Sequence, residues 1–216
     1  MKFTKFLPLV FALALICPVF AEDADPQLSD TSTLNLTLSK WCRVTSGLVS
    51  DTATATFDAE YRNITLDKAM APTFHIVTND PAQIIKVQAT TAGQNALYKI
   101  DGNNYGLAFA NTTAEHVPDA NAVSDLTAAS ASPSIANNAD VIGFRFTTFN
   151  MVPSGTYGGA VTTDTKGQNI RTYVLTNGTY DLNMVLNTTQ EEGTFSTHDA
   201  AGTYTTVITV TAQPSA

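Results

Sequence analysis

Apolar and polar residues alternate one for one in segment after segment of this 216-residue chain. Side chains two apart on an extended backbone share a face, so each such segment describes a strand with one apolar side. Thr33 to Val44 begins the pattern, with Leu34, Leu36 and Leu38 set between Thr33, Asn35, Thr37 and Ser39. Thr52 to Arg62 puts Ala53, Ala55, Phe57, Ala59 and Tyr61 on one face, and Thr73 to Thr78 sets Phe74 and Ile76 against His75 and Val77. Asn79-Asp80-Pro81 breaks that strand, and Gln83 to Ala89 follows, with Ile84, Ile85 and Val87 expected to feed a core.

Turn chemistry punctuates the rest. Ala96 to Ile100 and Tyr105 to Ala110 flank Asp101-Gly-Asn-Asn104, which reads as a four-residue hairpin turn. Ile142 to Val152 is aromatic and extended. Phe144 and Phe146 face one way, a bulge displaces Phe149, and Ser154-Gly155 closes the strand. Arg171 to Thr176 and Thr179 to Leu186 flank Asn177-Gly178, which predicts a second hairpin because Asn-Gly tolerates the positive φ of a two-residue turn. Asp164-Thr-Lys-Gly167 reads as a loop turn. From Gly202 to Thr211 the residues Tyr204, Thr206, Ile208 and Val210 line one face. Thr is abundant and good helix formers are sparse, which suits pleated, half-exposed strands. Short strands with turn signals between them predict one all-β sandwich, and residues 115–140, rich in Ala, Ser, Asn and Pro, read as a long exposed loop.

The start of the chain reads as an export signal. Lys2 and Lys5 precede an apolar run from Phe6 to Ile16, and Val19-Phe20-Ala21 suits cleavage after Ala21. A lipoprotein alternative would use Cys17, but Ile16 is bulky for the residue before a lipidated cysteine. The expected mature chain has 216 − 21 = 195 residues, with Glu22 to Val44 as an N-terminal arm and residues 45–216 as the sandwich domain. Nine of the 11 basic residues and all 19 acidic ones fall in it, giving 9 − 19 = −10. Such a balance, with Lys and Arg scattered, argues against nucleic acid and against anionic membranes, and no second apolar run predicts membrane insertion. Only Cys42 remains after cleavage, so no intrachain disulfide can staple the fold, and the thiol reads as a small buried hydrophobe.

No residue set reads as catalytic or cofactor-binding. His75, His116 and His198 lie far apart with no second ligand at metal spacing. Neither a nucleophile elbow nor a phosphate-cradling glycine loop occurs. Glu191 and Glu192 are adjacent, so on a strand they would point to opposite faces, and they read as a solvated turn. Trp41 and the tyrosines could stack on a sugar, although core and edge packing explain most aromatics in a sandwich.

Four stretches in this order carry a resemblance. They are the alternating Thr33-Leu-Asn-Leu-Thr-Leu38, then Thr73-Phe-His-Ile-Val-Thr-Asn-Asp80, then Ile84-Ile-Lys-Val87, and last Ala201-Gly-Thr-Tyr204 leading into Val207-Ile-Thr-Val210. Together they make up about a seventh of the expected mature chain. The chain resembles the major subunits of chaperone–usher fimbriae, especially the alpha, colonisation-factor class of pilins. Residues 115–140 look like an insertion against that class, and Trp41-Cys42 is unusual for it.

That resemblance implies an immunoglobulin-like sandwich lacking one strand, exported through the periplasm to the cell surface. A periplasmic chaperone and an outer-membrane usher would be its partners in transit, and copies of itself its partners in the filament, with a host receptor for adhesion. Leu34, Leu36 and Leu38 would be the donated side chains, and Tyr204, Ile208 and Val210 would face the chaperone or the core. The competing reading is a self-contained secreted or surface β-sandwich that binds a glycan or a host protein, with Leu34 to Leu38 as its own first strand. The two differ in whether the arm completes its own domain or another's.

Overall fold

The computed structural model of the chain describes residues 35–47, 51–58, 60, 63–113, 140–190 and 200–213. The expected signal, its cleavage site, Leu34, and all but Asp140 of the predicted long loop lie outside them. Two units are distinguished, one ending at Leu38 and one running from Ser39 onward. In the first, Asn35 to Leu38 carries no strand ladder.

The second unit is all-β, a sandwich of antiparallel sheets. Its strands are β1 (Cys42–Ser46), β2 (Ala55–Phe57), β3 (Ile64–Leu66), β4 (Thr73–Thr78), β5 (Gln83–Thr91), β6 (Gln94–Asn95), β7 (Leu97–Asp101) and β8 (Asn104–Asn111). They continue with β9 (Val141–Pro153), β10 (Val161–Lys166), β11 (Arg171–Leu175), β12 (Gly178–Leu186), β13 (Thr189–Gln190), β14 (Tyr204–Thr205) and β15 (Val207–Gln213). One sheet runs β1-β4-β12-β9-β8-β14, with β7 also on β8. A second runs β10-β11-β5-β15, with β6 on β5, and a small third sheet runs β13-β3-β2.

Alternation explains most of the core. Gln83, Ile85, Val87, Ala89 and Thr91 of β5 are buried, while Lys86 is half-buried and Gln88 and Thr90 are exposed. Ile84 falls on the other face of β5 and is half-buried, so only Ile85 and Val87 of the three expected residues enter the core. Tyr180, Leu182, Met184 and Leu186 of β12 face inward, as do Arg171, Tyr173 and Leu175 of β11. The bulge expected in β9 is present: the β12 register slips between Val185 and Leu186, opposite Thr148 and Phe146. It brings Phe149 inward beside Phe146, with ring centroids 5.0 Å apart.

Three turns differ from expectation. Asn177-Gly178 does not close a hairpin, because β11 belongs to the β5 sheet and β12 to the β4–β9 sheet. The dipeptide turns the chain from one sheet to the other. A Cβ at Gly178 would sit 2.5 Å from the Gly159 nitrogen, and the Tyr180 hydroxyl fixes the corner by donating to the Thr176 carbonyl at 2.8 Å. Asp164-Thr-Lys166 is strand, not turn; the reversal comes one residue later, where the Gly167 N–H donates to the Ile170 carbonyl at 2.9 Å. In the β7–β8 hairpin Asp101 pairs with Asn104, so the loop is only Gly102-Asn103.

Arg171 ties the two large sheets together. Its guanidinium reaches Asp164 through Nε at 2.9 Å and Nη2 at 2.7 Å, and Nη1 donates to the Phe149 carbonyl. It lies over the rings of Phe149, Tyr173 and Tyr105 at 4.7, 5.1 and 5.8 Å. A buried cation is tolerated only when paired and hydrogen-bonded, and here both conditions hold.

Candidate functional site

The last strand changes sheets halfway. Tyr204 and Thr205 pair with Asn111 and Ala110 of β8, and from Val207 onward the chain pairs instead with β5, starting at Val207↔Thr90. The expected face is the one that looks inward: Tyr204, Ile208 and Val210 are half-buried against the core, and Val207 is 61% exposed. The Tyr204 hydroxyl donates to the Ala200 carbonyl at 2.8 Å, which holds its ring at the domain's rim.

Beside this switch lies an apolar groove of about 1060 Å³. Its floor comes from the facing pair β8 and β9, through Leu107, Phe109, Ile142 and Phe144. Phe109 and Phe144 pack edge to face there, with centroids 5.9 Å apart. One wall is Tyr204 to Ile208; the other is β2, with Ala53, Ala55 and Phe57 on the face that alternation assigns to a core. In the structure Ala55 and Phe57 are exposed and Ala53 half-buried. Apolar alternation on this strand therefore meets a groove and not a closed interior. Ala59 and Tyr61 lie outside the described residues.

Three of the strands that border the groove stand at sheet ends. β14 ends its sheet, β15 ends the β5 sheet and β2 ends the small sheet. Among the described residues no strand pairs with their outer edges. Such an edge offers a row of backbone donors and acceptors to any extended chain. Of the three last-strand residues expected to face chaperone or core, Tyr204 and Ile208 line the groove and Val210 does not. Sequence reasoning missed Phe109, Ile142, Ile64 and Leu66. β8 is buried from Tyr105 to Asn111 on both faces, so it shows no alternation, and β3 is only three residues long.

The arm meets the domain at a separate, polar anchor. The Trp41 N–H donates to Asn79 Oδ1 at 2.7 Å, and Asn79 Nδ2 donates to the Ser39 carbonyl at 3.0 Å. The Thr78 hydroxyl and the Asn79 N–H both donate to the Trp41 carbonyl, at 3.0 and 3.3 Å. Cys42 to Val44, which sequence reading groups with the arm, lie in β1 and pair with Thr78 to Ile76. Outside this anchor, Leu36 is 87% exposed and Leu38 78% exposed.

Other singled-out groups take ordinary places. Cys42 is half-buried, and burial pushes its thiol pKa up, away from the reactive thiolate. His75 sits 2.7 Å from Asp181 on the exposed face of β4 and β12. His116, His198, Glu191 and Glu192 lie outside the described residues. Among the described residues no group of three His, Cys, Asp or Glu side chains could hold a metal ion, and no helix is long and apolar enough to cross a membrane. Comparison with protein-family models, with curated proteins and with solved structures finds no significant match for this chain.

Proposed function

We propose that this chain is a structural subunit of a surface fimbria that polymerises by strand donation, with an immunoglobulin-like sandwich that lacks one strand. The observation that carries the reading is the groove. It combines an apolar floor with strand edges that no other described strand pairs, the two things an incoming extended segment needs. The same chain carries a segment of matching chemistry, with alternate leucines at 34, 36 and 38. Burying three leucines would contribute roughly 5–9 kcal/mol, at about 1.5–3 kcal/mol for each side chain.

Donation to a second copy starts from an anchor set away from the groove. Trp41 is held at the Thr78 end of β4, whereas Phe74, four residues along that strand, lines the groove. That separation is about 13 Å at the rise of a strand. Until a neighbour arrives, a periplasmic chaperone strand would cover the groove, and export through an usher would follow. With no disulfide to hold an open sandwich, that cover matters to the subunit's integrity. The self-contained binding module remains the second reading, favoured only if residues outside the described ones close the groove.

Leu36→Lys tests the proposal. A charged residue at the centre of the donated strand should leave a folded domain and abolish the heat-sensitive ladder on an unheated SDS gel. Intact filaments of that variant under negative-stain microscopy would refute strand donation by this segment.

A further inference from the structure

Among the described residues of the second unit, the large hydrophobic side chains left exposed are Trp41, Phe57, Tyr157 and Val207. Single exposed hydrophobics are ordinary on a surface, but these four fall into two pairs. Phe57 and Val207 both border the apolar groove. Trp41 and Tyr157 both stand at the Thr78 end of the largest sheet. Thr78 pairs with Gly178 across the β4–β12 ladder, and its hydroxyl donates to the Trp41 carbonyl. On the far side of β12 the Thr179 N–H donates to the Tyr157 carbonyl at 2.9 Å. Three strand spacings, about 14 Å, therefore separate the two aromatic residues along one sheet end. β5 measures the distance to the groove rim. Its first residue, Gln83, has Oε1 3.4 Å from the Thr78 hydroxyl, and Thr90, further along, pairs with Val207. At the rise of a strand those two residues of β5 are about 23 Å apart.

Trp41 is fixed at its base and open at its side chain. Thr78 and Asn79 hold its backbone by hydrogen bonds, while the residue is 49% exposed. Lys40, next in sequence, lies 3.8 Å from the Asp80 carboxylate, which offsets its charge. A large aromatic side chain on a fixed backbone loses little entropy on binding, which is why tryptophan anchors interfaces. No more than about 11 Å of chain separates Leu38 from Trp41. A second copy that takes Leu38 into its groove therefore brings its groove rim close to Trp41.

The geometry points to a second contact between neighbouring copies: the end that carries Trp41 and Tyr157 packs on the groove rim of the next copy, at Phe57 and Val207. This inference rests on the fimbrial reading and adds a contact to it. In a filament every junction repeats, and the two surfaces that meet are different patches of one subunit. An aromatic patch at one end of β5 and an apolar rim toward the other meet that requirement. A pairing of like ends would instead close as a two-fold dimer. One donated strand by itself leaves two domains free to turn about it. The second contact fixes the angle between them and sets how far the strand enters.

Trp41 is the only tryptophan of the chain, so its fluorescence reads the contact directly. Acrylamide quenching is measured on wild-type filaments and on the Leu36→Lys subunit, each as the exported full-length product. The quenching constant should be at least about threefold lower in the filaments. Val207→Lys and Tyr157→Ala, both at exposed positions, should keep the melting temperature and the heat-sensitive ladder. Each should raise the quenching constant of the filaments by about twofold. Tyr157 belongs neither to the groove lining nor to the arm, so its loss does not act through the donated strand. Wild-type filaments in which Trp41 is as open as in the Leu36→Lys subunit would overturn the contact and leave strand donation standing. Shielding that neither variant changes would overturn it too. An absence of wild-type filaments, or filaments still formed by Leu36→Lys, would overturn strand donation by this segment and this contact with it.

Discussion

Asn79 holds Trp41 from two directions. Its side-chain oxygen accepts the Trp41 N–H at 2.7 Å, and its own N–H donates to the Trp41 carbonyl at 3.3 Å. The Thr-Asn-Asp sequence that ends β4 thus does more than stop a strand. Asp80 is fully buried and turns the chain by accepting the Ala82 N–H at 3.0 Å, while Asn79 fixes the point at which the arm leaves.

Asn79→Ala should release that point. It removes two side-chain hydrogen bonds, to the Trp41 N–H and the Ser39 carbonyl, each worth about 1 kcal/mol at an exposed site. The denaturation midpoint should fall by about 1–2 kcal/mol equivalent. Asn79→Asp keeps the acceptor and loses the donor, so it should cost about half as much. Urea melts of the three proteins check the order.

Where one face of a strand met solvent and the other the core, the pattern in the sequence translated directly into structure. β4 and the inward face Tyr204, Ile208 and Val210 are such cases. Local rules failed where a tertiary partner decided the outcome. Asn177-Gly178 satisfies every short-range requirement of a hairpin, yet the strands it joins lie in different sheets, because Gly178 packs against Gly159 and Tyr180 reaches back to Thr176. Asp164 and Lys166 look like turn residues, but Arg171 draws Asp164 into β10. The arm's leucines and the β2 face stood out in the sequence. The groove floor did not, since it joins β8 and β9 across a stretch of about thirty residues, and no sequence periodicity reports such a contact.

Phe57→Ala separates groove binding from domain stability. Phe57 is exposed on β2 and borders the groove, so its loss should change the melting of the isolated domain by less than about 1 kcal/mol. If a donated strand packs against it, the filament should instead dissociate at a lower temperature, losing about 1–2 kcal/mol per junction. Heating series on SDS gels, read for the ladder, measure this.

Asp164→Asn should weaken the tie between the sheets and flatten part of the acid response. Burial works to raise the pKa of Asp164, but hydrogen bonding and charge from Arg171, with Lys166 behind, hold it below the ordinary carboxylate value. Because folding lowers this pKa, the carboxylate stabilises the fold fully above about pH 4, and that contribution is lost as pH falls through the folded-state value. At neutral pH the variant leaves Arg171 without its anion and should lose about 3 kcal/mol. Below about pH 3 the gap between variant and wild type should narrow. Asp51, whose pKa is lowered by its hydrogen bonds from Lys68 and the Ala71 N–H, retains its own share of the slope in both proteins.

Gly106→Ala should be among the most damaging single-methyl changes in the domain. Gly106 pairs with Tyr98 across the β7–β8 ladder, and a Cβ there would lie 2.3 Å from Tyr98 Cζ. The ring covers the glycine and is itself buried at 2% exposure, so it cannot swing aside without displacing core. Overpacking of this kind costs about 3 kcal/mol. No protein group hydrogen-bonds the Tyr98 hydroxyl among the described residues. Tyr98→Phe therefore removes no bond between protein groups and should stay within about 1 kcal/mol of wild type. In the Gly106→Ala background, Tyr98→Leu should recover part of the loss by vacating the space over residue 106, a coupling that a double-mutant cycle of thermal melts would read as about 1–2 kcal/mol. Additive losses in that cycle would mean that the ring and the glycine do not share the space between β7 and β8.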